Sequence, residues 1–344
     1  YTIFLMRYTI AIFLFLTVFC YVSCDNNTQH QVPKEVIETP FALKINRFDH
    51  DLFALKIDSM NRGLDKIANK YPDFFYLFTK QILNIGDSSN PQMPLVLNGF
   101  LKDQYINDMY DEVQRQYKDV SFFNNEFTDA FKAYHYFFPK LKIPEITYFV
   151  SGYNYANVTT QNTLAIGLEM YLGSDYKPYT LLEIPLYKQK LMLKEYIVVD
   201  ALQAWIATEF ENEQDYASLL NQMLQRGKVL YALEKLLPNL NDTIKFGYTN
   251  EQLKWCQNNE PKIWSHFIEK KLLFAAFRGD SFKYINEGPF TAGFPRESPG
   301  KIGIWLGYQI IKKYVEQQPN ISMKQLFENH NAQQILTHSK YKPK

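Results

Sequence analysis

The feature that most constrains the fold of this chain is the stretch YKQKLMLKEYIVVDALQAWIATEF, residues 187–210, the longest uninterrupted helical pattern after the N-terminal region. Almost every position of residues 196–207 is apolar, so the helix has no amphipathic stripe, and a helix that is apolar on all sides lies inside a domain or a membrane. These 12 residues are too few to cross a bilayer, which needs about 20. The sequence therefore predicts a helix buried inside the protein.

Two polar side chains, Asp200 and Gln203, interrupt this apolar run. They are three residues apart and are therefore neighbours on one face of the helix. A carboxylate that is buried needs a partner, or else its protonation state changes. We therefore expect Asp200 to have a specific partner in the folded protein.

The N-terminal region has the layout of a secretory signal peptide. A short charged start, Met6-Arg7, precedes the apolar run TIAIFLFLTVFCYVS at residues 9–23. A single transmembrane anchor is the alternative, although the run is shorter than the roughly 20 residues that span a bilayer. We predict a signal peptide at residues 1–23.

The end of that run is similar to a bacterial lipobox. The small residue Ser23 precedes Cys24, and the chain becomes polar at once with Asp25, although Tyr21 stands where the pattern usually has an aliphatic residue. A Cys that carries several acyl chains is a stable membrane anchor, whereas one chain alone binds membranes only marginally. We therefore predict that Cys24 is lipidated and becomes the first residue of the mature protein.

Composition indicates a large folded core and argues against a nucleic-acid partner. The chain has 344 residues, of which 46% are hydrophobic and 16% aromatic. It has 37 Lys and Arg against 36 Asp and Glu, so no basic excess would attract phosphates. The 14 Gly against 25 Tyr and 27 Phe suit close helix packing better than a turn-rich all-β fold.

The patterns along the chain predict a mostly helical α+β fold with a small antiparallel sheet packed on helices. Residues 24–40 are polar and read as a tether, and residues 41–344 as a single domain. The segments EITYFVSG and TLAIGLEMYLG, residues 145–152 and 163–173, are rich in β-branched and aromatic residues, which favours two paired strands. Further helices are predicted at residues 58–68, 71–85, 109–117, 125–138, 216–227, 228–237, 250–259, 260–276 and 304–317.

No local motif in the sequence marks a catalytic or metal site. No two of the six histidines are four residues apart, so the HExxH helix that binds zinc is absent. After removal of Cys20 and lipidation of Cys24, only Cys256 remains, which favours a buried apolar role over a nucleophile. The run SPGKIG, residues 298–303, is read as a tight turn, with an anion site at a helix N-terminus as the alternative.

Several longer strings resemble the gliding-motility lipoprotein GldB family of Bacteroidetes. The strings are AIGLEMYLG at residues 165–173, QMLQRGKVLYALEKLLPNL at 222–240, GYTNEQLKWCQNNEPKIW at 247–264, SPGKIGIWLGYQIIKKY at 298–314 and SKYKPK at 339–344. The resemblance implies an envelope lipoprotein needed for gliding or for the associated type IX secretion system, without an established catalytic activity. It also implies that the protein faces the periplasm, in the inner or the outer membrane.

The family is also distantly similar to zincin-like metalloproteases, whose zinc ligands are missing from this chain. Val199, Asp200 and Gln203 fall where the His, Glu and His of the zinc helix would stand, and Arg226 falls at the Glu of the next helix. Val, Gln and a cation do not supply a ligand field for zinc. The resemblance implies a degenerate zincin-like scaffold with no metal or other cofactor, in which Arg226 pairs with Asp200.

Two short strings match the three-residue O-glycosylation pattern of that phylum. They are Asp58-Ser59-Met60 and Asp242-Thr243-Ile244, in which Ser59 and Thr243 would carry the glycan. This likeness implies two candidate modification sites.

Two classes of function follow from the sequence. The first is a non-enzymatic envelope component that binds other gliding or secretion proteins through an aromatic-rich surface. The second is an envelope hydrolase, peptidase-like and of zincin-like fold, that uses carboxylates such as Glu169, Asp200 or Glu209. The sequence favours the first class.

Overall fold

Short strands and many helices alternate along residues 30–56, 59–86 and 90–344, which are the residues described by this computed structural model. Residues 32–344 form one compact unit. The strands are β1 (Ile45–Arg47), β2 (Glu145–Phe149), β3 (Asn157–Thr159) and β4 (Thr163–Gly167). The α-helices are α1 (Lys34–Glu38), α2 (Phe48–Phe53), α3 (Met60–Lys70), α4 (Pro72–Leu77), α5 (Met93–Lys102), α6 (Gln104–Tyr117), α7 (Ser121–Phe137), α8 (Lys177–Leu181), α9 (Leu186–Gln189), α10 (Ile197–Glu209), α11 (Leu219–Leu236), α12 (Asp242–Phe246), α13 (Asn250–Glu269), α14 (Ile302–Gln317), α15 (Met323–Glu328) and α16 (Ala332–Ser339).

The predicted fold class, a mostly helical α+β protein with a small sheet, is confirmed, but the sheet is mixed. Its strand order is β1-β2-β4-β3, with β2 parallel to both β1 and β4 and only β3 antiparallel to β4. The predicted antiparallel pairing of the two main strands is therefore wrong. The connection of residues 150–162 contains β3, which forms the tight hairpin with β4 and leaves enough chain for β2 and β4 to run parallel.

The predicted buried helix is present as α10, which has seven buried residues: Ile197, Val198, Val199, Ala201, Leu202, Trp205 and Ile206. It begins ten residues later than predicted, because Leu193 is extended with φ −118° and ψ 151°. The carbonyl of Met192 accepts a hydrogen bond from the Gly173 N–H at 3.0 Å and is therefore engaged outside the helix. The break at this point separates α9 from α10.

Two pairs of predicted helices are single helices in the structure. Helix α11 continues through Gly227, where the sequence predicts an end. The missing side chain of this glycine lets α11 approach α14. A Cβ atom on Gly227 would lie 2.5 Å from the carbonyl carbon of Gly307, and one on Gly307 would lie 1.9 Å from the Met223 oxygen. Helix α13 likewise continues through Pro261. The glycines therefore mark a helix crossing rather than a helix end.

The buried side chains form a large core and a smaller aromatic core beside the sheet. The large core includes α10, α11 and α14, and the smaller one is built around Phe48. The Phe48 ring lies 4.9 Å from the centroids of both Phe74 and Phe78. Edge-on ring pairs of this kind contribute stability beyond that of the area that they bury.

Helix α1 occupies part of the segment that the sequence predicts as a tether. The Lys132 amine of α7 donates a hydrogen bond of 2.8 Å to the Ile37 carbonyl, which holds α1 against α7. Residues 1–29, which include the predicted signal peptide and Cys24, lie outside the described residues. Among the described helices, none is both long and apolar enough to span a membrane.

Candidate functional site: a cleft beside helices α10 and α11

Three cavities share lining residues, and two of them lie along α10 and α11. We call them the polar cavity, of about 300 Å³, the central cavity, of about 290 Å³, and the outer cavity, of about 310 Å³. Ala204, Ala207 and Arg226 line both the polar and the central cavity, and Tyr248 and Lys301 line both the central and the outer cavity. The small side chains of the two alanines leave open space between α10 and α11.

The four positions predicted from the zincin-like resemblance have different surroundings. Val199 is only 2% exposed and packs in the large core, and Asp200 is partly buried beside Tyr171. Gln203 and Arg226 line the central cavity. No group of three or more His, Cys, Asp or Glu residues within the described part of the chain has a geometry that could hold a metal ion.

Asp200 is held by a tyrosine and not by the cation that was predicted. The Tyr171 hydroxyl donates to its carboxylate at 3.2 Å, and the Asn157 amide donates to the Tyr171 oxygen at 2.8 Å. No hydrogen bond or ion pair joins Asp200 to Arg226, which is exposed, so the predicted pair is wrong. Burial raises the pKa of Asp200 from 3.8 to about 7, against smaller lowering effects of Lys301 and of the Tyr171 hydrogen bond.

Glu169, the second carboxylate considered from the sequence, is completely buried at the end of β4. One of its oxygens accepts hydrogen bonds from the Ser151 N–H at 2.7 Å, the Ser151 hydroxyl at 2.8 Å and the Tyr153 N–H at 3.3 Å. Burial raises the pKa of Glu169 to about 7, although these donors lower it. The side chain has no exposed surface, so it cannot reach a substrate in this conformation.

Glu209, the third candidate carboxylate, lies on the exposed end of α10. Burial raises its pKa and Lys142 lowers it. No hydrogen bond joins it to Asp200 or Glu169. The structure therefore does not bring the three candidate carboxylates into one constellation.

An ionic cluster around the buried Lys245, which the sequence did not reveal, joins α11, α12 and α14. The Lys245 amine lies 2.9 Å from a Glu234 oxygen and 3.0 Å from the Tyr308 oxygen, and the Tyr308 hydroxyl donates to Glu234. Burial raises the pKa of Glu234, but the hydrogen bonds of Tyr308 and Lys245 outweigh it and lower the pKa to about 2. These partners are far apart in sequence, so no local spacing indicates them.

The remaining predicted residues are Cys256 and the two candidate glycosylation sites. Cys256 is buried, and burial raises the pKa of its thiol to about 12, which confirms an apolar role. Ser59 is exposed at the start of α3, and the Thr243 hydroxyl donates to the Asn241 side chain at 2.9 Å. No finding tests glycosylation at these two residues, which stays a prediction.

The run at residues 298–303 leads from a bend into the start of α14 and packs against a second backbone segment. Ser298 donates to the Pro295 carbonyl at 2.6 Å, and the Ile302 N–H at the start of α14 donates to the Thr291 hydroxyl. A Cβ atom on Gly300 would lie 2.4 Å from the Gly288 oxygen. The hydrogen-bonded turn lies at residues 295–298, just before the predicted run, and the last two residues of the run, Ile302 and Gly303, begin α14.

Comparison with known proteins assigns the chain to a family. No curated protein and no solved structure shows a match. The sequence profile of the family described as "Gliding motility protein GldB" matches residues 29–343. Because this match covers nearly the whole chain, the protein belongs to the GldB family of gliding-motility lipoproteins.

Proposed function

We propose that this protein is an envelope lipoprotein, anchored by lipid on Cys24, that serves gliding motility or type IX secretion by binding other proteins of that machinery. The observation that carries the proposal is the family match across residues 29–343. A Cys after an apolar leader supplies the anchor chemistry. The anchor holds the folded unit at a membrane surface, facing the periplasm.

An apolar surface supports the interaction with a protein partner. Three large side chains within six residues, at the end of α8 and the start of α9, are strongly exposed: Leu181 is 80% exposed, Leu182 52% and Leu186 71%. We call these three residues the leucine patch. Clustered exposed apolar side chains are typical of surfaces that bind other proteins or membranes. The leucine patch continues into the outer cavity, which Leu186 also lines.

The cleft supports a non-enzymatic role over a zinc hydrolase. Val199 is buried in the core, and on the zincin-like resemblance Arg226 stands where a zincin has a carboxylate ligand. A metal ion needs electron-pair donors, and a guanidinium supplies none. The purified protein should contain no stoichiometric zinc, and a chelator should leave its melting temperature unchanged. A large fall in melting temperature on chelation would indicate a structural metal and contradict this proposal.

Gene replacement tests the anchor and the binding surface separately. Cells whose only copy carries Cys24→Ala should accumulate unprocessed precursor, lose lipid labelling of the protein and fail to glide. Unchanged lipid labelling would contradict the anchor at Cys24. The double variant Leu181→Glu, Leu186→Glu should be lipidated and folded but should not support gliding or secretion of a type IX cargo.

A matched control for the leucine patch is Tyr105→Glu. Tyr105 is 82% exposed on α6, so its replacement adds a charge to the surface without touching the patch. We expect cells with this variant to glide normally. Full gliding by the double leucine variant, at a normal protein level, would exclude the patch as the binding surface.

A further inference from the structure

Strand β3 is an edge strand whose outward main-chain groups can be identified from its pairing with β4. The two strands are antiparallel, and the N–H of Thr160, directly after β3, donates to the Thr163 carbonyl at 2.8 Å. In an antiparallel pair, hydrogen-bonded residues alternate with residues whose main-chain groups point away from the partner strand. The N–H and carbonyl groups of Asn157 and Thr159 therefore point away from β4.

These main-chain groups are free within the part of the chain that the structure describes. No described residue donates to the carbonyl of Asn157 or Thr159, and none accepts from their N–H groups. The two side chains are already engaged, since the Asn157 amide donates to the Tyr171 oxygen and the Thr159 hydroxyl lies 3.2 Å from that of Thr208. A sheet edge with unpaired N–H and carbonyl groups is a template for pairing with another strand.

The polar cavity borders this edge. Asn157 and Thr159 line it from β3, and residues of α10 and α11 line it from the other sides. The cavity opens to solvent, because three of its lining residues are exposed: Glu211, Tyr216 and Arg226. No lining residue of the three cavities lies in β1, the other edge strand of the sheet. A chain that enters the polar cavity therefore meets the edge of β3.

We propose that the polar cavity binds an extended segment of a partner protein, which adds to β3 as a fifth strand of the sheet. This inference rests on the proposed function, because it names the form of the segment that a partner presents. Adjacent strands lie about 4.8 Å apart, and the small side chains of Ala204 and Ala207 leave room for the added strand. Main-chain hydrogen bonds supply the affinity in this mode of recognition, and side chains that enter cavities supply the specificity.

The lining of the cavity suits a polypeptide better than a small ion. The exposed side chains of Glu211 and Arg226 carry opposite charges, so an ion of either sign meets a like charge there. A polypeptide main chain is neutral and presents one donor and one acceptor per residue. In an extended segment these groups have the same spacing as those of Asn157 and Thr159. The free edge therefore matches an extended chain.

Photo-cross-linking in gliding cells tests this inference and the proposed function separately. A benzophenone amino acid replaces Glu211 in the polar cavity, Leu181 in the leucine patch, or the exposed control residue Tyr105. We expect position 211 to cross-link to one segment of another envelope protein, identified by mass spectrometry of the joined peptides, and position 105 to give no product. A cross-link at position 181 without one at position 211 would overturn this inference and leave the proposed function standing. No cross-link at either position would contradict both.

A proline substitution tests whether the main chain of β3 makes the contact. Thr159→Pro removes the N–H that points away from β4, whereas Thr159→Val removes the same hydroxyl and keeps the N–H. An edge position whose N–H does not join the ladder tolerates proline. We expect Thr159→Pro to lose the cross-link from position 211 and Thr159→Val to retain it. Equal cross-linking in the two variants would overturn the inference.

A synthetic peptide with the cross-linked sequence measures the size of the effect on the full-length protein in detergent. We expect the peptide to bind, and Thr159→Pro to weaken binding about tenfold, the equivalent of one main-chain hydrogen bond. The melting temperature of this variant shows whether weaker binding reflects unfolding.

A second pair of variants fills the cavity without changing β3. Ala207→Phe places a ring in the polar cavity, and Glu209→Phe is its control, because Glu209 lines none of the three cavities. We expect Ala207→Phe to abolish peptide binding and Glu209→Phe to retain it. Equal binding by these two variants would contradict a site in the polar cavity.

Two other occupants of the edge would also overturn the proposal. One is a second copy of this chain, which would appear as a cross-linked product with the mass of two chains. The other is the chain's own N-terminal segment, residues 24–33, which would appear as a cross-link within one chain between position 211 and that segment.

Discussion

Helix α11 has two faces that are built in different ways. The face toward α14 is packed backbone against backbone at Gly227 and Gly307, with no room for a Cβ atom. The face toward the cleft carries Gln225, which has a buried unpaired oxygen, and Arg226, which is exposed and forms no hydrogen bond or ion pair with the described residues. The face toward α14 therefore contributes stability, and the face toward the cleft leaves a cation exposed.

The carboxyl groups of the two regions also differ: the one toward α14 has a lowered pKa, and the one beside the cleft has a raised pKa. Glu234, on the packed side, has a pKa lowered to about 2 by Tyr308 and Lys245 despite burial. Asp200, on α10 beside the cleft, has a pKa that burial raises to about 7, because the smaller lowering effects of Lys301 and of the Tyr171 hydrogen bond do not offset it. Burial acts in the same direction on both carboxyls, and the contact with a cation decides which one stays ionised.

The largest expected effect comes from adding a side chain where α11 and α14 cross. Gly307→Ala would put a Cβ atom 1.9 Å from the Met223 oxygen, so α11 and α14 must separate. We expect a loss of about 3 kcal/mol or more in the free energy of unfolding, as for severe overpacking. Denaturant unfolding measures it.

The control for this prediction is Gly99→Ala in α5. A Cβ atom on Gly99 meets nothing within 4 Å. Alanine is the better helix former, so this variant should gain up to about 1 kcal/mol. Equal stability changes in the two variants would contradict the close crossing of α11 and α14.

A second large effect is expected from Lys245→Met in the ionic cluster of Glu234, Lys245 and Tyr308. Lys245 is 4% exposed, and its removal leaves the Glu234 carboxylate without its nearest cation. We expect a loss of about 3 kcal/mol, and a partial recovery when Glu234→Gln is added, because no buried charge is then left unpaired.

The surface pair Lys313–Glu316 is the control for this cluster. Both side chains are about half exposed. Lys313→Met should change stability by less than about 0.5 kcal/mol. Thermal melts at one pH compare the unaltered protein with Lys245→Met, with Lys245→Met plus Glu234→Gln, and with Lys313→Met. A Lys245→Met protein that melts like the Lys313→Met protein would exclude a structural role of the cluster.

Replacing Asp200, which lies beside the cleft, should raise the stability of the protein, whereas Gly307→Ala and Lys245→Met lower it. The folded-state pKa of Asp200 is raised from 3.8 to about 7, so the folded state binds more protons than the unfolded state between these values. The stability contributed by this group is complete below about pH 4 and is lost as the pH rises to about 7. Asp200→Asn should therefore stabilise the protein, by about 2 kcal/mol at pH 8 and by little at pH 4.

Melts of the Asp200→Asn variant and of the unaltered protein across pH 4–8 check this prediction. Glu169, whose pKa is raised from 4.5 to about 7, adds a slope of the same sign that the variant retains. A variant less stable than the unaltered protein at pH 8 would indicate an ionised Asp200 with a cation partner, which is the pairing that the sequence suggested.

The smallest expected effect is that of Arg226→Met. The side chain is exposed and has no hydrogen bond or ion pair in the described structure. We expect the free energy of unfolding to change by less than about 0.5 kcal/mol, as for most surface substitutions. A larger loss, measured by denaturant unfolding, would show that the cleft face also carries stability.

The sequence predicted those parts of the fold that depend on local patterns. The apolar run predicted the burial of α10, and the β-branched segments predicted β2 and β4. It did not predict the parallel pairing of β2 and β4, since pairing direction depends on how the chain returns between them. It also predicted a helix end at Gly227, because a glycine needed for a close crossing looks the same in sequence as one that ends a helix.

The candidate site was less predictable, since its partners come from distant parts of the chain. Asp200 was identified from its place in an apolar helix, but its partner Tyr171 is 29 residues away. The unpaired oxygens of Asn157 and Gln225 gave no signal, because only the fold shows which polar groups have no donor. The sequence could therefore identify an unusual carboxylate but not its environment.

The most direct test of a binding role, as opposed to catalysis, is the gliding of cells whose only copy carries Asp200→Asn and Glu209→Gln. These are the candidate carboxylates that are not fully buried, and neither change removes a cation or a lipid anchor. We predict gliding speeds equal to those of cells with the unaltered protein at equal protein levels. Loss of gliding with a normal amount of folded, lipidated protein would contradict the account and support the hydrolase.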